Sequence, residues 1–292
     1  MRDVTVLTAE DILGIAEDTP GRLFTGDPDA ARREYHALAI RWHPDRCGEI
    51  EAGRVFRHVA ALYRAAGRRL RDRAWRTPGV VEFEDEEGRR FRLRFLRQKG
   101  FELGEMYIGR RTIAFAVAHQ HRDLFDNALG AIGSFTFGSD RMRDEIARCQ
   151  PETVRHLRTA DRLVLVVRNP PDMVLLEDLV AHLGGTIDPR HAAWIVSSLE
   201  NLACYLGYAG IVHNAIGPAT CFVSSAAHVC ALLGGWWYAA RVGRPLVAVP
   251  ARTIDQGPAD LARTGIGDPR TDLYLIRPPA ARSWTIRAVP AC

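Results

Sequence analysis

Lysine is nearly absent from this chain. Lys99 is the only lysine in 292 residues, so subtracting it from the 39 basic residues leaves 38 arginines. Acidic residues are mixed among them, and the formal net charge is only +4. A domain that holds nucleic acid on a broad basic surface usually carries a larger positive excess. The charge balance therefore argues against nucleic acid as a partner.

The cysteines form no metal-binding or disulfide pattern. They are scattered, and no CxxC pair occurs among them. Paired cysteines at short spacing mark structural zinc sites, and small secreted domains use cysteines as a disulfide framework. We therefore expect a reducing, cytoplasmic setting, with no metal and no cofactor. The six are Cys47, Cys149, Cys204, Cys221, Cys230 and Cys292.

Long apolar runs and common catalytic motifs are also lacking. No stretch approaches membrane-spanning length, and residues 1–4 do not begin a signal-peptide core, so we expect no membrane association. HExxH, GxSxG and Walker motifs do not occur. A polar cluster after a predicted strand could bind a metal, although a solvated loop explains it better. Its members are His119, Gln120, His121 and Asp123.

The length and the sequence patterns of the chain divide it into two main parts. A length of 292 residues with 47% hydrophobic residues suffices for two cores. The pattern is helical in the first quarter and becomes strand-like after Thr77-Pro78-Gly79. We predict an α+β protein in four parts: an all-α domain at 1–76, a linker at 77–90, a mixed domain at 91–276, and an arginine- and proline-rich tail at 277–292.

The most informative stretch is a basic amphipathic helix that ends at a turn. Tyr35, Leu38 and Trp42 recur at helical spacing and form an apolar stripe, with arginines beside it. Pro44 disfavours helical geometry at His43, so the helix should end there and leave an exposed turn. Alone, His-Pro-Asp could be a simple helix terminator, since proline and aspartate are common in turns.

The surroundings of this turn resemble the J domain of DnaJ-type co-chaperones. Residues 9–15 look like its short first helix, and an apolar pattern from Phe56 to Tyr63 looks like the third helix, which pairs antiparallel with the second. The segment 17–28 is longer than the usual link. Zinc-binding repeats and a Gly/Phe-rich segment are missing, so only the J domain is shared with the larger members.

The J-domain resemblance implies a partner and a set of contact residues. The partner would be a DnaK-type heat-shock chaperone, whose ATPase the domain stimulates. Arginines would steer the approach to an acidic surface. The implied chaperone-binding residues are His43, Pro44, Asp45, Arg32, Arg33, Arg41 and Arg46.

The sequence pattern of the second half predicts a small antiparallel sheet followed by helices. Strands are expected at 91–95, 101–109, 112–117, 163–167 and 173–176, and helices at 141–149 and 188–206, the latter with Asp188 as N-cap. A loop-rich region is expected at 210–250. Residues 211–223 resemble a protein-kinase catalytic loop of the form HRDLKPENILV, and the order of elements resembles a truncated two-lobed kinase fold.

The positions that carry kinase chemistry are replaced in this chain. Of the loop pattern, His213, Ile216 and Pro218 match, and Asp272 resembles the structural aspartate of the large lobe. Phosphoryl transfer needs a base, a lysine and carboxylate-held metal, so the resemblance implies a pseudokinase. The degenerate positions are Ala116 for the sheet lysine, Glu145 for its partner, Ala215 for the base, Gly217 for the loop lysine, Thr220 for the metal-binding asparagine, and Gly235 for the metal-binding aspartate.

We therefore expect an adaptor whose second domain binds an unidentified client or partner. An alternative is an atypical kinase or nucleotidyl-transferase that recruits Glu145, Asp255, Asp260 or Asp268 for metal. A third is nucleic-acid binding through arginines such as those at the end of the third helix. That cluster is better explained as a solvated helix end with cations near its C-terminus; its members are Arg68, Arg69, Arg71, Arg73 and Arg76.

Overall fold

The computed structural model describes residues 4–72, 75, 79–277 and 285–286. Contacts divide the chain into two units. Unit 1 holds the described residues up to 83 together with 90–95, and unit 2 holds 84–89 and the residues from 96 onward. Helices and sheets both occur, so the predicted α+β class is confirmed.

Unit 1 contains three helices: α1 (Ala9–Leu13), α2 (Pro28–Arg41) and α3 (Ala52–Arg71). Thr8 caps α1 in a capping box with Asp11, and Asp27 caps α2 by accepting the backbone N–H of Ala30 at 2.7 Å. Two 3₁₀ turns, Val4–Val6 and Pro20–Arg22, complete the helical part. The three helices predicted in this region are confirmed.

Helices α2 and α3 form an antiparallel hairpin. The ring of His43, just beyond α2, contacts Phe56 near the start of α3, whereas Tyr35 in the middle of α2 stacks on Tyr63 farther along α3. The long segment 17–28 also contributes to this core, because Leu23 and Phe24 are buried in it. That segment was predicted only as an unusually long link.

A two-stranded sheet follows the helices. It pairs β1 (Val80–Glu84) with β2 (Arg90–Arg94). The segment 77–90, expected to be a linker, thus contains a strand. Residues 91–95, expected to open the second domain, belong to unit 1 by their contacts. The alternation of Phe91 and Leu93 with arginines correctly indicated a strand, but alternation does not reveal which core the strand joins.

Unit 2 begins with a five-stranded antiparallel sheet in the order β3-β4-β5-β7-β6. Two helices, α4 (Arg122–Ile132) and α5 (Asp140–Ala147), connect β5 to β6. The polar cluster predicted as a solvated loop is a 3₁₀ turn, His119–His121, that leads into α4, a helix that was not predicted. The strands are β3 (Arg97–Phe101), β4 (Gly104–Ile108), β5 (Thr112–Ala118), β6 (Thr153–Arg158) and β7 (Arg162–Arg168).

The remainder of unit 2 is mainly helical, with short sheets. The region 210–250, predicted to be loop-rich, contains a buried hairpin of two strands. The elements are β8 (Val174–Leu175), α6 (Leu176–His182), β9 (Thr186–Ile187), α7 (Pro189–Tyr208), β10 (Ile211–Val212), β11 (Cys221–Ser224), β12 (Val229–Leu232), β13 (Ala240–Arg241), α8 (Ala251–Gln256), α9 (Leu261–Thr264), α10 (Pro269–Ile276) and β14 (Thr285–Ile286).

These short strands form three further sheets. One has three strands in the order β12-β11-β8, and the pairs β10-β13 and β9-β14 form the others. The predicted N-cap of α7 is confirmed, since Asp188 accepts the backbone N–H of Arg190 at 2.8 Å. The tail beyond 277 lies outside the described residues except for β14. Within the described part of the chain, no helix has the length and apolar character needed to cross a bilayer.

Candidate functional site

The His43-Pro44-Asp45 turn is built by the end of α2. The helix stops at Arg41, and Trp42 closes it by donating its N–H to the Leu38 carbonyl at 2.9 Å. The His43 carbonyl then accepts two backbone N–H groups, from Arg46 at 2.9 Å and Cys47 at 2.8 Å. The exposed turn that Pro44 predicted is therefore present.

The imidazole of His43 is oriented from two sides. Its Nδ1 accepts the backbone N–H of Asp45 at 3.2 Å, and its ring packs edge-on against Phe56 with centroids 5.6 Å apart. Because Nδ1 acts as an acceptor, the proton of the neutral ring lies on Nε2, which is left to donate to a partner. The His43 side chain is 42% exposed and that of Asp45 is 86% exposed, so both are accessible.

Arginines lie along α2 and just after the turn. Arg32, Arg33 and Arg46 are exposed, and the Arg41 guanidinium lies 5.2 Å from the centre of the Trp42 ring. Trp42 itself is buried and anchors the end of α2 in the core. Arg41 and Arg46 therefore flank the turn in sequence, whereas Arg32 and Arg33 lie about 12 Å along α2 from its end at Arg41.

A second buried constellation lies in unit 2 around residues 213–220. Asp272 accepts the backbone N–H of His213 and of Asn214, each at 2.8 Å. The His213 Nε2 lies 3.0 Å from the Gly234 carbonyl, and its ring packs edge-on against Trp236. Burial lowers the pKa of His213 to about 4 and raises the pKa of Asp272 to about 7. His213 is thus a neutral structural residue.

Asn214 is a constituent of this loop that sequence reasoning missed. Its φ of 63° lies in the left-handed region, which asparagine tolerates better than most residues. Its Nδ2 donates to the carbonyls of Tyr238 and Ala248, and its own carbonyl accepts the Thr253 hydroxyl at 2.7 Å. An asparagine within a predicted turn was the available signal.

Ala215, Gly217 and Thr220 form a closed turn without a titratable group. The Thr220 hydroxyl donates to the Ala215 carbonyl at 2.7 Å and accepts the Gly217 N–H at 3.1 Å. The guanidinium of Arg252 lies directly against Gly217, where it occupies the space of any side chain. A cation therefore lies against the loop. It is the side chain of Arg252 from α8, and it was not predicted.

Aromatic rings fill the space next to Gly234 and Gly235. Phe101 and Phe115 both contact the Trp237 ring, with centroid distances of 5.8 and 5.3 Å. A Cβ on Gly234 would lie 3.5 Å from the Phe115 ring. Burial is nearly complete for Phe115 and Trp237. At Gly235, the position compared with the metal-binding aspartate, the nearest groups are His213, Thr220 and Ala215, none of which is a carboxylate.

The proposed lysine position on the sheet needs a correction. Ala116 belongs to β5, but adjacent strand residues face opposite sides. Phe115 contacts Gly234 and Trp237, so Phe115, and not Ala116, faces the loop. Lys99 pairs with Glu177 of α6. Exposed Glu145 on α5 pairs with Arg141, 3.2 Å away.

The carboxylates suggested for an alternative metal site do not assemble into one group, although Asp260 and Asp268 lie on the same arginine. Asp268 caps α10 and pairs with Arg270 at 2.6 Å, and Asp260 lies 3.7 Å from the same guanidinium. Asp255 is exposed on α8. Over the described ranges, no group of three or more histidine, cysteine or acidic side chains is arranged to hold a metal.

Comparisons with known proteins add no identification. No protein-family model matches the chain, and no curated protein matches its sequence.

Proposed function

We propose that this protein is a J-domain co-chaperone that recruits a DnaK-type chaperone and stimulates its ATPase. The observation that carries this proposal is the exposed His43-Pro44-Asp45 turn at the end of a basic helix in an antiparallel hairpin. Phe56 and the Asp45 backbone fix the imidazole before any partner arrives. Such preorganisation reduces the entropic cost of binding.

Unit 2 would act as an adaptor with a protein-kinase-like fold and without phosphoryl-transfer chemistry. Support comes from its five-stranded antiparallel sheet, the following helical region, and the buried Asp272 that holds the backbone at His213. Kinase chemistry requires a base and carboxylate-held metal. Ala215, Thr220 and Gly235 supply neither, and they pack against one another in the folded chain. Unit 2 would thus select where the chaperone acts.

The direct test is the steady-state ATPase of a DnaK-type chaperone in the presence of the full chain. Wild type should stimulate the ATPase, and His43→Gln should abolish most of that stimulation. His156→Gln is the matched control, since it makes the same chemical change at an exposed histidine of unit 2. No stimulation by wild type, or equal stimulation by wild type and His43→Gln, would disprove the proposal.

A further inference from the structure

A cavity of 780 Å³ in unit 2 lies apart from the loop at 213–220. Its walls are the start of β3, the turn from β4 to β5 at 108–111, and the segment 168–175 that connects β7 to β8. This volume is within the range of ligand-binding clefts. None of its lining residues belongs to the sites described above.

The cavity has an excess of positive charge. Four arginines and two aspartates line it. Arg168 forms a bidentate pair with Glu152, and Arg97 lies 3.4 Å from Asp178. Arg110 and Arg111 are exposed, and no carboxylate in the described part of the chain pairs with them. The two adjacent guanidinium groups are therefore available to an anionic ligand. The lining charges are Arg97, Arg110, Arg111, Arg168, Asp172 and Asp178.

One side chain in the cavity wall, the amide of Asn169, is buried, and its oxygen accepts no hydrogen bond within the described part of the chain. Asn169 is only 6% exposed, and its Nδ2 donates to the Gly109 carbonyl at 2.8 Å. Its Oδ1 is buried and accepts no hydrogen bond from the described residues. Because this oxygen is closed to solvent, Asn169 holds the cavity wall at Gly109 and is not a contact for a ligand.

The cavity also has an apolar rim beside an unpaired strand edge. Leu96 is 71% exposed and Val174 is 47% exposed, which is high for aliphatic residues that line a cavity. Val174 belongs to β8, the outer strand of its three-stranded sheet. An edge strand can accept an extended peptide through backbone hydrogen bonds, with side-chain pockets giving specificity.

We propose that this cavity binds an extended acidic peptide segment of a partner protein. Carboxylates would pair with Arg110 and Arg111, the peptide backbone would pair with the outer edge of β8, and aliphatic side chains would cover Leu96 and Val174. That this partner is a client for the recruited chaperone rests on the proposed function. Binding of the peptide itself does not.

The test begins with a selection from a library of random ten-residue peptides on the immobilised full chain. Peptides are kept only if they bind wild type more strongly than the Arg110→Glu/Arg111→Glu variant. The enriched sequences should combine acidic with aliphatic residues. Enrichment of basic sequences, or no enrichment over the variant, overturns the proposal.

Fluorescence polarisation with the most enriched peptide then measures the contribution of each group. Affinity should fall at least tenfold in Arg110→Glu/Arg111→Glu. It should change less than twofold in Arg190→Glu/Arg263→Glu, which alters the same charge at exposed sites outside the cavity. Equal losses in both variants would reduce the effect to net charge and contradict the proposal. Circular dichroism melts establish that the variants are folded.

Two further controls separate a peptide site from a small-anion site and from the chaperone function. Two results together would indicate a small-anion site and overturn the proposal. The first is displacement of the peptide by inorganic pyrophosphate, and the second is equal binding of a peptide whose aliphatic residues are replaced by serine. His43→Gln should leave peptide affinity unchanged. If wild type stimulates the ATPase but does not bind the peptide, this inference alone is refuted. If wild type binds the peptide but does not stimulate the ATPase, only the co-chaperone role is refuted.

Discussion

The carboxylate of Asp272 holds the backbone of His213 in place across 59 residues of sequence. Its Oδ2 accepts the His213 N–H at 2.8 Å, while Oδ1 accepts the N–H of the next residue, Asn214. All three residues are buried. Helix α10 therefore fixes the beginning of the loop at 213–220, and this fixation has consequences for stability that can be measured.

Asp272 should make the protein less stable as the pH rises. Burial raises the pKa of Asp272 from 3.8 to about 7, against the opposing effect of the two backbone N–H groups. The folded chain thus keeps a proton that the unfolded chain releases above pH 3.8. The contribution of Asp272 is complete below that pH and is lost as the pH rises through 7. The stability difference between wild type and Asp272→Asn should shrink by about 4 kcal/mol from pH 4 to 8.

Urea unfolding at several pH values measures this difference. Asp255→Asn, an exposed change on α8, should give a small and pH-independent difference. If the stability difference between wild type and Asp272→Asn instead grows with pH, the Asp272 carboxylate is ionised in the folded protein. The two backbone N–H groups would then lower its pKa by more than burial raises it.

His213 should produce the opposite pH dependence. Burial lowers the pKa of His213 from 6.5 to about 4. Its contribution is complete above pH 6.5 and is lost as the pH falls through 4, because only the unfolded chain binds the proton in that interval. The stability difference between wild type and His213→Gln should therefore grow by about 3 kcal/mol from pH 4 to 6.5. Thermal or urea unfolding of both proteins checks this, and exposed His156→Gln should show no such trend.

Gly235 should tolerate no side chain. Its φ is 82°, and a Cβ would lie 2.8 Å from both the His213 ring and the Thr220 methyl group. Gly235→Ala combines backbone strain with overpacking and should cost about 2–4 kcal/mol. Gly210→Ala is the matched control, because φ is 69° there and nothing lies within 4 Å of the added Cβ. It should cost about 1 kcal/mol. Equal losses in urea unfolding would show that the contacts around Gly235 are unimportant.

Local sequence patterns predicted the first half of the fold better than the second. Helices α1 and α2 have side-chain caps, and α3 has regular apolar spacing, so their sequence alone indicates them. Pro44 likewise indicated the exposed turn. The association of β2 with unit 1 could not be predicted, because it depends on contacts with other elements and not on the alternation along the strand.

The site in unit 2 was predicted only in part, for a similar reason. Matching the loop pattern located His213 and Asp272, whose hydrogen bond joins distant residues. It could not show that Arg252 from α8 lies against Gly217. It also pointed to Ala116 on β5, although Phe115 is the residue whose side chain faces the loop. A shift of one residue along a strand moves the side chain to the opposite face of the sheet.

Magnesium nucleotide should not stabilise this protein. A ligand at 100 times its Kd raises the unfolding free energy by about 2.7 kcal/mol. Here the groups packed against Gly235 are His213, Ala215 and Thr220, none of which is a carboxylate, and the Phe115 ring lies against Gly234 and Trp237. Thermal unfolding with millimolar ATP and magnesium should match unfolding without them. An active protein kinase measured in the same buffers provides the positive control. A magnesium-dependent increase in Tm would contradict the proposal that unit 2 has lost the nucleotide site of a kinase.

The arginines on α2 should set the rate at which a DnaK-type chaperone associates with the protein. Arg32 and Arg33 are exposed, and exposed charges act over about 10 Å at 0.1 M salt but only about 3 Å at 1 M. Arg32→Glu/Arg33→Glu should therefore slow association at least tenfold at low salt, with the difference disappearing near 1 M. Stopped-flow association with the nucleotide-bound chaperone measures both rates. Arg190→Glu/Arg263→Glu, with the same charge change in unit 2, should have little effect. A rate loss that persists at high salt would indicate a direct contact and not steering.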